Sequence, residues 1–199
     1  MPSATITTVG ADAVVGGYDH DFVQTTEKYN CAICKMVIRE SRETDCGHRF
    51  CRSCLEQVRK NQNRASNFSC PVCKTALNVN LIYPSKAFDR DIQSLEVRCS
   101  QEGYNDSCQW SGELRALEHH TTEECEFTKV KCTNEGCSEM MCRRGLADHM
   151  DNVCGYTLFP CEYCSSKVVR CEKDSHTNMC PKWPLPCSKK CGKVDIARG

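Results

Sequence analysis

Cysteines recur along this chain in closely spaced groups, and their spacing limits the possible folds more than any other feature. The sequence has 20 cysteines in 199 residues, about a tenth of the chain, a level at which a cross-linked or metal-held scaffold is the default interpretation. A Cys-x2-Cys step forms a turn that presents two sulfurs at zinc-bonding distance. We therefore expect several small modules, each too small to bury an adequate core by itself.

Two kinds of cysteine-rich protein are possible, a secreted disulfide protein and an intracellular zinc protein. The N-terminal stretch "MPSATITTVGADAVVGG" has no lysine or arginine and no leucine-rich run, so it does not resemble a signal peptide. No segment approaches the roughly 18 apolar residues of a membrane span. These features predict a soluble, cytoplasmic zinc protein without membrane insertion.

Charge argues against nucleic acid as a partner. The formal net charge is 0 when cysteines are counted as neutral thiols, but zinc ligands are thiolates, and five sites would bring the charge to about −6. Proteins that bind nucleic acid usually carry a basic face, whereas only "CRRG" is locally basic in the repeated region.

The first cysteine block contains eight ligand-type residues in four pairs, which is the number needed for two tetrahedral zinc ions. A disulfide framework, a catalytic Cys46–His48 pair and two unrelated zinc sites are weaker alternatives, since a catalytic pair leaves six neighbouring cysteines unexplained. The eight residues are Cys31, Cys34, Cys46, His48, Cys51, Cys54, Cys70 and Cys73.

The order of these residues, with the tight centre "CGHRFCRSC", resembles the RING finger. In that family the pairs interleave in a cross-brace. The resemblance implies one zinc held by Cys31, Cys34, Cys51 and Cys54, and a second zinc held by Cys46, His48, Cys70 and Cys73.

RING proteins bind a ubiquitin-conjugating enzyme (E2) in a shallow apolar groove. The resemblance places the groove residues at Ile33, Val58 and Pro71, with packing of the small domain as the alternative role. Leu55 and Val58 would share one face of a short helix. Lys74 stands where many RING fingers carry a cation that hydrogen-bonds the E2 and its ubiquitin, and a solvated lysine is the alternative.

A connector follows the RING block. Phe88, Ile92 and Leu95 lie at i, i+4 and i+7, one helical stripe, and Ser85 is a candidate helix cap. The pattern predicts a short helix between the RING finger and the next module.

Beyond the connector, a Cys-Cys-His-Cys unit recurs three times, with 11 residues between its second cysteine and its histidine and six residues between units. His119 could replace His120 but would break the constant step. The three sets are Cys99, Cys108, His120 and Cys125; Cys132, Cys137, His149 and Cys154; Cys161, Cys164, His176 and Cys180.

Apolar residues also repeat with the units, and metal binding does not require them. We expect them to pack each finger on its neighbour, giving a continuous rod. They are Val97, Val130, Phe159 and Leu185 before the units, and Phe127, Tyr156 and Trp183 after them.

A fourth unit begins at Cys187 and Cys191, and its histidine would fall beyond Gly199. We therefore expect an incomplete fourth finger in a truncated chain, unless the pair forms a tail of free thiols or recruits Cys142 or Cys171. Those two cysteines have no place in the repeat and are expected to be small buried side chains or free thiols.

The combination resembles the TNF-receptor-associated factor (TRAF) family over about residues 18–199, on the motifs "YNCAIC", "CGHRFCRSC", "RDIQSLEVRC", "CTNEGC" and "CSKKCGK". The expected fold class is a set of small zinc-stabilised modules, a cross-brace RING followed by a rod of tandem ββα-like fingers. The expected segments are a disordered tail 1–28, the RING 29–77, a helical connector 78–98, fingers 99–125, 132–154 and 161–180, and the incomplete finger 187–199.

The resemblance implies a RING-type E3 ubiquitin ligase that binds a ubiquitin-charged E2, or alternatively an E2-inactive adaptor of receptor signalling. The polar step "KNQNRASNFS" is a feature that could interfere with E2 binding. The family also implies a homodimer through the RING region, and receptor binding through a C-terminal region that this sequence lacks. Within the tail, His20 is expected to be solvated, and "GGYDHDF" could add a strand or a dimer contact.

Overall fold

The computed structural model describes residues 16–62, 67–185 and 196–197, and these residues form two compact units. The first unit holds residues up to 100 together with 109–123, and the second holds 101–108 and the residues from 124 onward. The first finger contributes residues to both. Among the described residues, no helix has the length and apolar character needed to cross a bilayer.

The first unit is built from short antiparallel strands and three helices. Two sheets have three strands, in the orders β3-β2-β6 and β1-β7-β8, and β4 pairs with β5. Its strands are β1 (Asp21–Phe22), β2 (Ser41–Glu43), β3 (Arg49–Cys51), β4 (Asn67–Ser69), β5 (Ala76–Asn78), β6 (Tyr83–Pro84), β7 (Glu96–Arg98) and β8 (Ser111–Glu113). Its helices are α1 (Arg52–Asn61), α2 (Lys86–Gln93) and α3 (Leu114–His119).

The RING and the connector share one core. Phe50 and Phe68 from the RING lie in the same buried cluster as Ile92 of α2 and Val97 of β7. Helix α2 begins after Ser85, whose side chain makes no capping hydrogen bond; its carbonyl accepts the N–H of Asp89 at 2.9 Å instead. The stripe that predicted this helix therefore also anchors it to the RING.

The predicted disordered tail 1–28 is wrong for its second half. Strand β1 pairs with β7 in the register Asp21↔Arg98 and Phe22↔Val97. His20, expected to be solvated, lies between the rings of Tyr18 and Phe22, with centroid distances of 6.0 Å and 6.4 Å. Burial, followed by the charge of nearby Arg39, lowers the pKa of His20.

The second unit repeats a hairpin followed by helical turns. Its strands are β9 (Lys129–Lys131), β10 (Met140–Cys142), β11 (Leu158–Pro160), β12 (Lys167–Val169), β13 (Pro184–Leu185) and β14 (Ile196–Ala197), paired in sequence order. Its helices are α4 (Leu146–Asp148) and α5 (Lys173–Met179). This is the ββα-like finger that the sequence predicted.

The helical part differs between fingers. In the first two fingers the helix continues into a π-helical turn that starts at the histidine of the repeat, at His120–Glu124 and His149–Val153. In the third finger, α5 carries its histidine, His176, without such a turn. The first two units have four residues between histidine and last cysteine and the third has three, so the wider turn absorbs the extra residue.

The repeated apolar residues have different surroundings. Val97 is fully buried, whereas Phe159 remains 38 % exposed. Phe127 carries the guanidinium of Arg144 over its ring at 4.7 Å. The ring of Tyr156 packs on Gly136, where φ is +88° and an added Cβ would approach the ring to 2.7 Å.

Candidate metal centres

The structure brings the cysteines and histidines of the RING block and the three repeats into five groups of four. Within each group the candidate ligand atoms all lie within 4.8 Å of one another. The groups are Cys31, Cys34, Cys51 and Cys54; Cys46, His48, Cys70 and Cys73; Cys99, Cys108, His120 and Cys125; Cys132, Cys137, His149 and Cys154; Cys161, Cys164, His176 and Cys180. In the RING, the first and third pairs form one group and the second and fourth pairs form the other.

Sulfur–sulfur distances match the edge of a zinc tetrahedron. Zn–S bonds of about 2.3 Å at tetrahedral angles place two sulfurs roughly 3.8 Å apart. The Sγ atoms are 3.9 Å apart for Cys34 and Cys51 and 3.8 Å apart for Cys132 and Cys154. A disulfide would need an S–S distance of about 2.05 Å, so these pairs are not disulfides.

The histidine nitrogens fit the same geometry. A Zn–N bond of about 2.0–2.1 Å beside a Zn–S bond places nitrogen and sulfur roughly 3.6 Å apart. Nδ1 of His48 lies 3.4 Å from Sγ of Cys46. Nε2 of His176 lies 3.4 Å from Sγ of Cys164. Each histidine can therefore complete its set with one ring nitrogen.

Three of the Cys-x2-Cys steps form the same backbone turn. The residue after the second cysteine has positive φ, at 66° for Lys35, 63° for Lys74 and 61° for Ser165. Its N–H donates to the carbonyl of the first cysteine at 2.8, 2.9 and 2.8 Å respectively. The turn points both sulfurs to one side, which explains why a spacing of two residues suits a shared ion.

Electrostatics show why these thiols need a cation. The Cys51 thiol stabilises the neighbouring thiolate and lowers the pKa of Cys31 to about 4. The same contact raises the pKa of Cys51, and burial, followed by the charge of Cys31, raises the pKa of Cys54 to about 12. A divalent ion between these sulfurs would stabilise all four as thiolates.

Side chains around the sites hold the ligands, and no motif in the sequence indicated them. Thr44 Oγ1 lies 3.1 Å from Sγ of Cys46. The Asn134 side-chain amide donates to Sγ of Cys154 at 3.3 Å and to Oγ1 of Thr157 at 3.0 Å. It lowers the pKa of Cys154 to about 6.

A stacked tryptophan fixes one of the imidazoles. Trp110 lies 4.4 Å from His120, centroid to centroid, with the rings 6° from parallel. His120 is buried and belongs to the third group, whereas His119 is exposed and outside every group. The constant step of 11 residues thus selected the histidine that the structure brings to the cysteines.

The candidate E2 residues lie near the RING surface. Ile33 and Val58 are partly buried and pack against the core, and Pro71 is partly exposed beside the second Cys-x2-Cys turn. Lys74 is exposed, and its Nζ donates to the carbonyl of Pro71 at 3.0 Å.

Two further described cysteines lie outside the five groups, and of the two alternatives expected for them they fit free thiols and not small buried side chains. Cys171 is exposed and Cys142 is half-buried, and both are free thiols. Nζ of Lys129 donates to Sγ of Cys142 at 3.2 Å. Cys187 and Cys191 lie outside the described residues.

Comparison with known families gives two matches along the chain. The model of the C3HC4-type zinc finger (RING finger) matches residues 31–73. The model of the TRAF-type zinc finger matches residues 119–176. Both are zinc-binding families, and the cysteine and histidine groups fit that metal, so zinc is the cofactor of this chain.

Curated relatives align with nearly the whole chain. TNF receptor-associated factor 6-B of Xenopus laevis is 31 % identical over 233 residues, which cover 100 % of this chain and 40 % of that protein. TNF receptor-associated factor 5 of Homo sapiens is 30 % identical over 88 % of this chain and 31 % of its own length. The chain thus spans two fifths or less of the length of these relatives. The chain thus contains a RING finger and a TRAF-type zinc finger, and over nearly all of its length it is similar to TNF receptor-associated factors.

Proposed function

We propose that each of the five groups holds one zinc ion. The groups that begin with Cys31 and Cys46 would build the RING. The three groups that begin with Cys99, Cys132 and Cys161 would build the fingers. Four protein ligands fill a tetrahedral zinc completely, so these ions would have a structural role and no open position for a substrate.

The proposed function is that of a RING-type E3 ubiquitin ligase acting in cytoplasmic receptor signalling. The observation that carries it is the position of Ile33 and Pro71. Both stand inside Cys-x2-Cys turns of the RING, on partly exposed side chains. An apolar residue on a rigid metal-bound turn loses little conformational entropy on binding a partner, so it suits an E2 contact.

Such a ligase would act without a covalent intermediate. The RING would hold the E2–ubiquitin thioester in a reactive pose, and acceleration would come from positioning and electrostatic stabilisation. Lys74 is the candidate cation for that stabilisation. Its Nζ already donates a hydrogen bond to the carbonyl of Pro71, beside the proposed groove. It could therefore reach a bound E2 with little movement.

The test is discharge of ubiquitin from charged E2 enzymes to free lysine, measured over a panel of E2s. We expect the zinc-loaded chain to accelerate discharge and Ile33→Ala to reduce the acceleration about thirtyfold, since a central contact residue contributes about 2 kcal/mol or more. Leu158→Ala is the matched control, because Leu158 is 59 % exposed and lies in the second unit.

Zinc content measured on every variant separates loss of binding from loss of folding. An unchanged rate with Ile33→Ala, in a chain that accelerates discharge, would contradict the groove assignment. No acceleration with any E2, in protein shown to retain zinc, would favour the alternative function, an adaptor that no longer binds an E2.

Self-association is proposed for the same region. Leu81 and Tyr83 are 43 % and 58 % exposed on and beside β6, an edge strand of its sheet, where a second copy could cover them. Sedimentation of the native chain and of Tyr83→Ser tests this. A monomer at every concentration of the native chain would refute it.

A further inference from the structure

Successive fingers are joined by a hydrogen-bonding pattern that occurs twice with the same offsets. Arg143 and Arg170 each stand six residues after the second cysteine of their finger. The guanidinium of Arg143 donates to the carbonyl of Cys125 at 2.6 Å. The guanidinium of Arg170 donates to the carbonyl of Cys154 at 2.9 Å. In both cases the acceptor is the last cysteine of the preceding unit.

Backbone hydrogen bonds repeat with the guanidinium contact. The N–H of Arg143 donates to the carbonyl of Thr128 at 2.9 Å, and the N–H of Arg170 donates to the carbonyl of Thr157 at 3.0 Å. Each threonine lies three residues after the acceptor cysteine. The N–H groups of Arg144 and Cys171 donate to the residues directly after those cysteines, at 3.0 and 2.8 Å. We call this three-part contact the arginine clamp.

The clamp acts on backbone that orients a candidate ligand. Cys154 is 1 % exposed, and its N–H donates to the carbonyl of His149 at 2.6 Å. Arg170 also donates to the carbonyl of Asp151, within the π-helical turn that joins these two ligands. The arginine thereby fixes both the carbonyl of the last ligand and the turn leading to it.

Arg170 is itself positioned by the third finger. It lies between β12 and α5, and its guanidinium stacks over Phe159 at 4.9 Å. The third group takes Cys161 and Cys164 from the hairpin and His176 from α5, so loss of its metal would release both elements that flank Arg170.

We propose that Arg170 is a positioning residue that couples zinc retention in the second finger to zinc loading of the third. Groups that orient metal ligands typically change metal affinity by 10–100-fold when they are removed. A positive charge beside a site of three thiolates and one histidine also offsets its net charge of about −1. The proposal does not depend on ligase activity.

The experiment uses the full chain in zinc buffers of graded free concentration. Hydrogen exchange of residues 132–154, followed by mass spectrometry, reports the free zinc at which the second finger becomes half protected. We expect Arg170→Gln to raise that concentration at least tenfold. Arg170→Lys should raise that concentration less than Arg170→Gln does. Protection at saturating zinc should be unchanged in all variants. Lys173→Gln is the control, because it removes one positive charge from the same finger at an exposed position.

His176→Ala, which unloads the third finger, supplies the coupling test. In the native background, His176→Ala should raise the free zinc needed for half protection of the second finger by about the same tenfold. In the Arg170→Gln background, it should raise that concentration little further. Equal shifts by His176→Ala in both backgrounds would overturn the proposal. An effect of Arg170→Gln no larger than that of Lys173→Gln would overturn it as well.

Discussion

At the scale of single residues, the positive φ after a Cys-x2-Cys step has an energetic cost. Ser165 adopts φ of 61°, and a non-glycine residue in the left-handed region costs roughly 1–2 kcal/mol. Ser165 is exposed and outside the groups of candidate ligands, so it isolates the backbone effect from contacts.

We expect Ser165→Gly to stabilise the third finger by about 1 kcal/mol and Ser165→Val to destabilise it by a similar amount, since a β-branched side chain is least tolerated there. The free zinc required for half protection of residues 161–180 measures both. Glu162→Gly is the control, because Glu162 is exposed in the same turn and has no positive φ. A stabilising effect of the valine would contradict the strain argument.

Residues also show what a sequence can and cannot predict about such sites. In the fingers, the constant spacing predicted which cysteines and histidines lie together, because tetrahedral coordination restricts how ligands can be spaced. In the RING, the resemblance to that family implied the interleaved sets. Asn134 and Arg170 were not predicted, because they act by hydrogen bonds to sulfur and to a backbone carbonyl, which impose no pattern on their neighbours. The constant offset of the two arginines from the second cysteine was a usable signal.

At the scale of elements, the π-helical turn leads to a deletion that should be tolerated. Removing Asn152 would give the second finger the three-residue step of the third, where α5 needs no wider turn. We expect the finger to fold with zinc affinity within about tenfold of the native chain, as measured by hydrogen exchange of residues 132–154.

Deletion of Ala147 is the matched control for this prediction. It shortens the constant step of 11 residues and would rotate His149 by about 100° around the helix axis, so zinc binding by the second finger should be lost. If both deletions abolish binding, the wider turn has a role beyond accommodating one residue.

The connector shows both the reach and the limit of periodicity at this scale. The stripe of Phe88, Ile92 and Leu95 predicted a helix, and α2 is there, although Leu95 lies beyond its end. Periodicity could not show that Ile92, only 1 % exposed, belongs to the core of the RING. That assignment depends on which surface the helix packs against, a non-local property.

At the scale of the whole molecule, the fold class of a RING followed by TRAF-type zinc fingers was predictable, because each module carries its own ligand spacing. The pairing of β1 with β7 was not. It joins Phe22 to Val97, and two-residue strands this far apart leave no periodic signal in the sequence.

This pairing has a practical consequence for fragment design. A fragment covering 29–77, the RING outlined by cysteine spacing, lacks β1, α2 and β7 and would expose the side of the core that Ile92 and Val97 cover. We expect it to aggregate or melt well below a fragment covering 16–126, which keeps Cys125 and so the whole third group, because removing even one buried aliphatic side chain costs about 2–5 kcal/mol. Thermal melts of the two fragments in excess zinc measure the difference. Equal melting temperatures would mean that the metal ions alone hold this RING together.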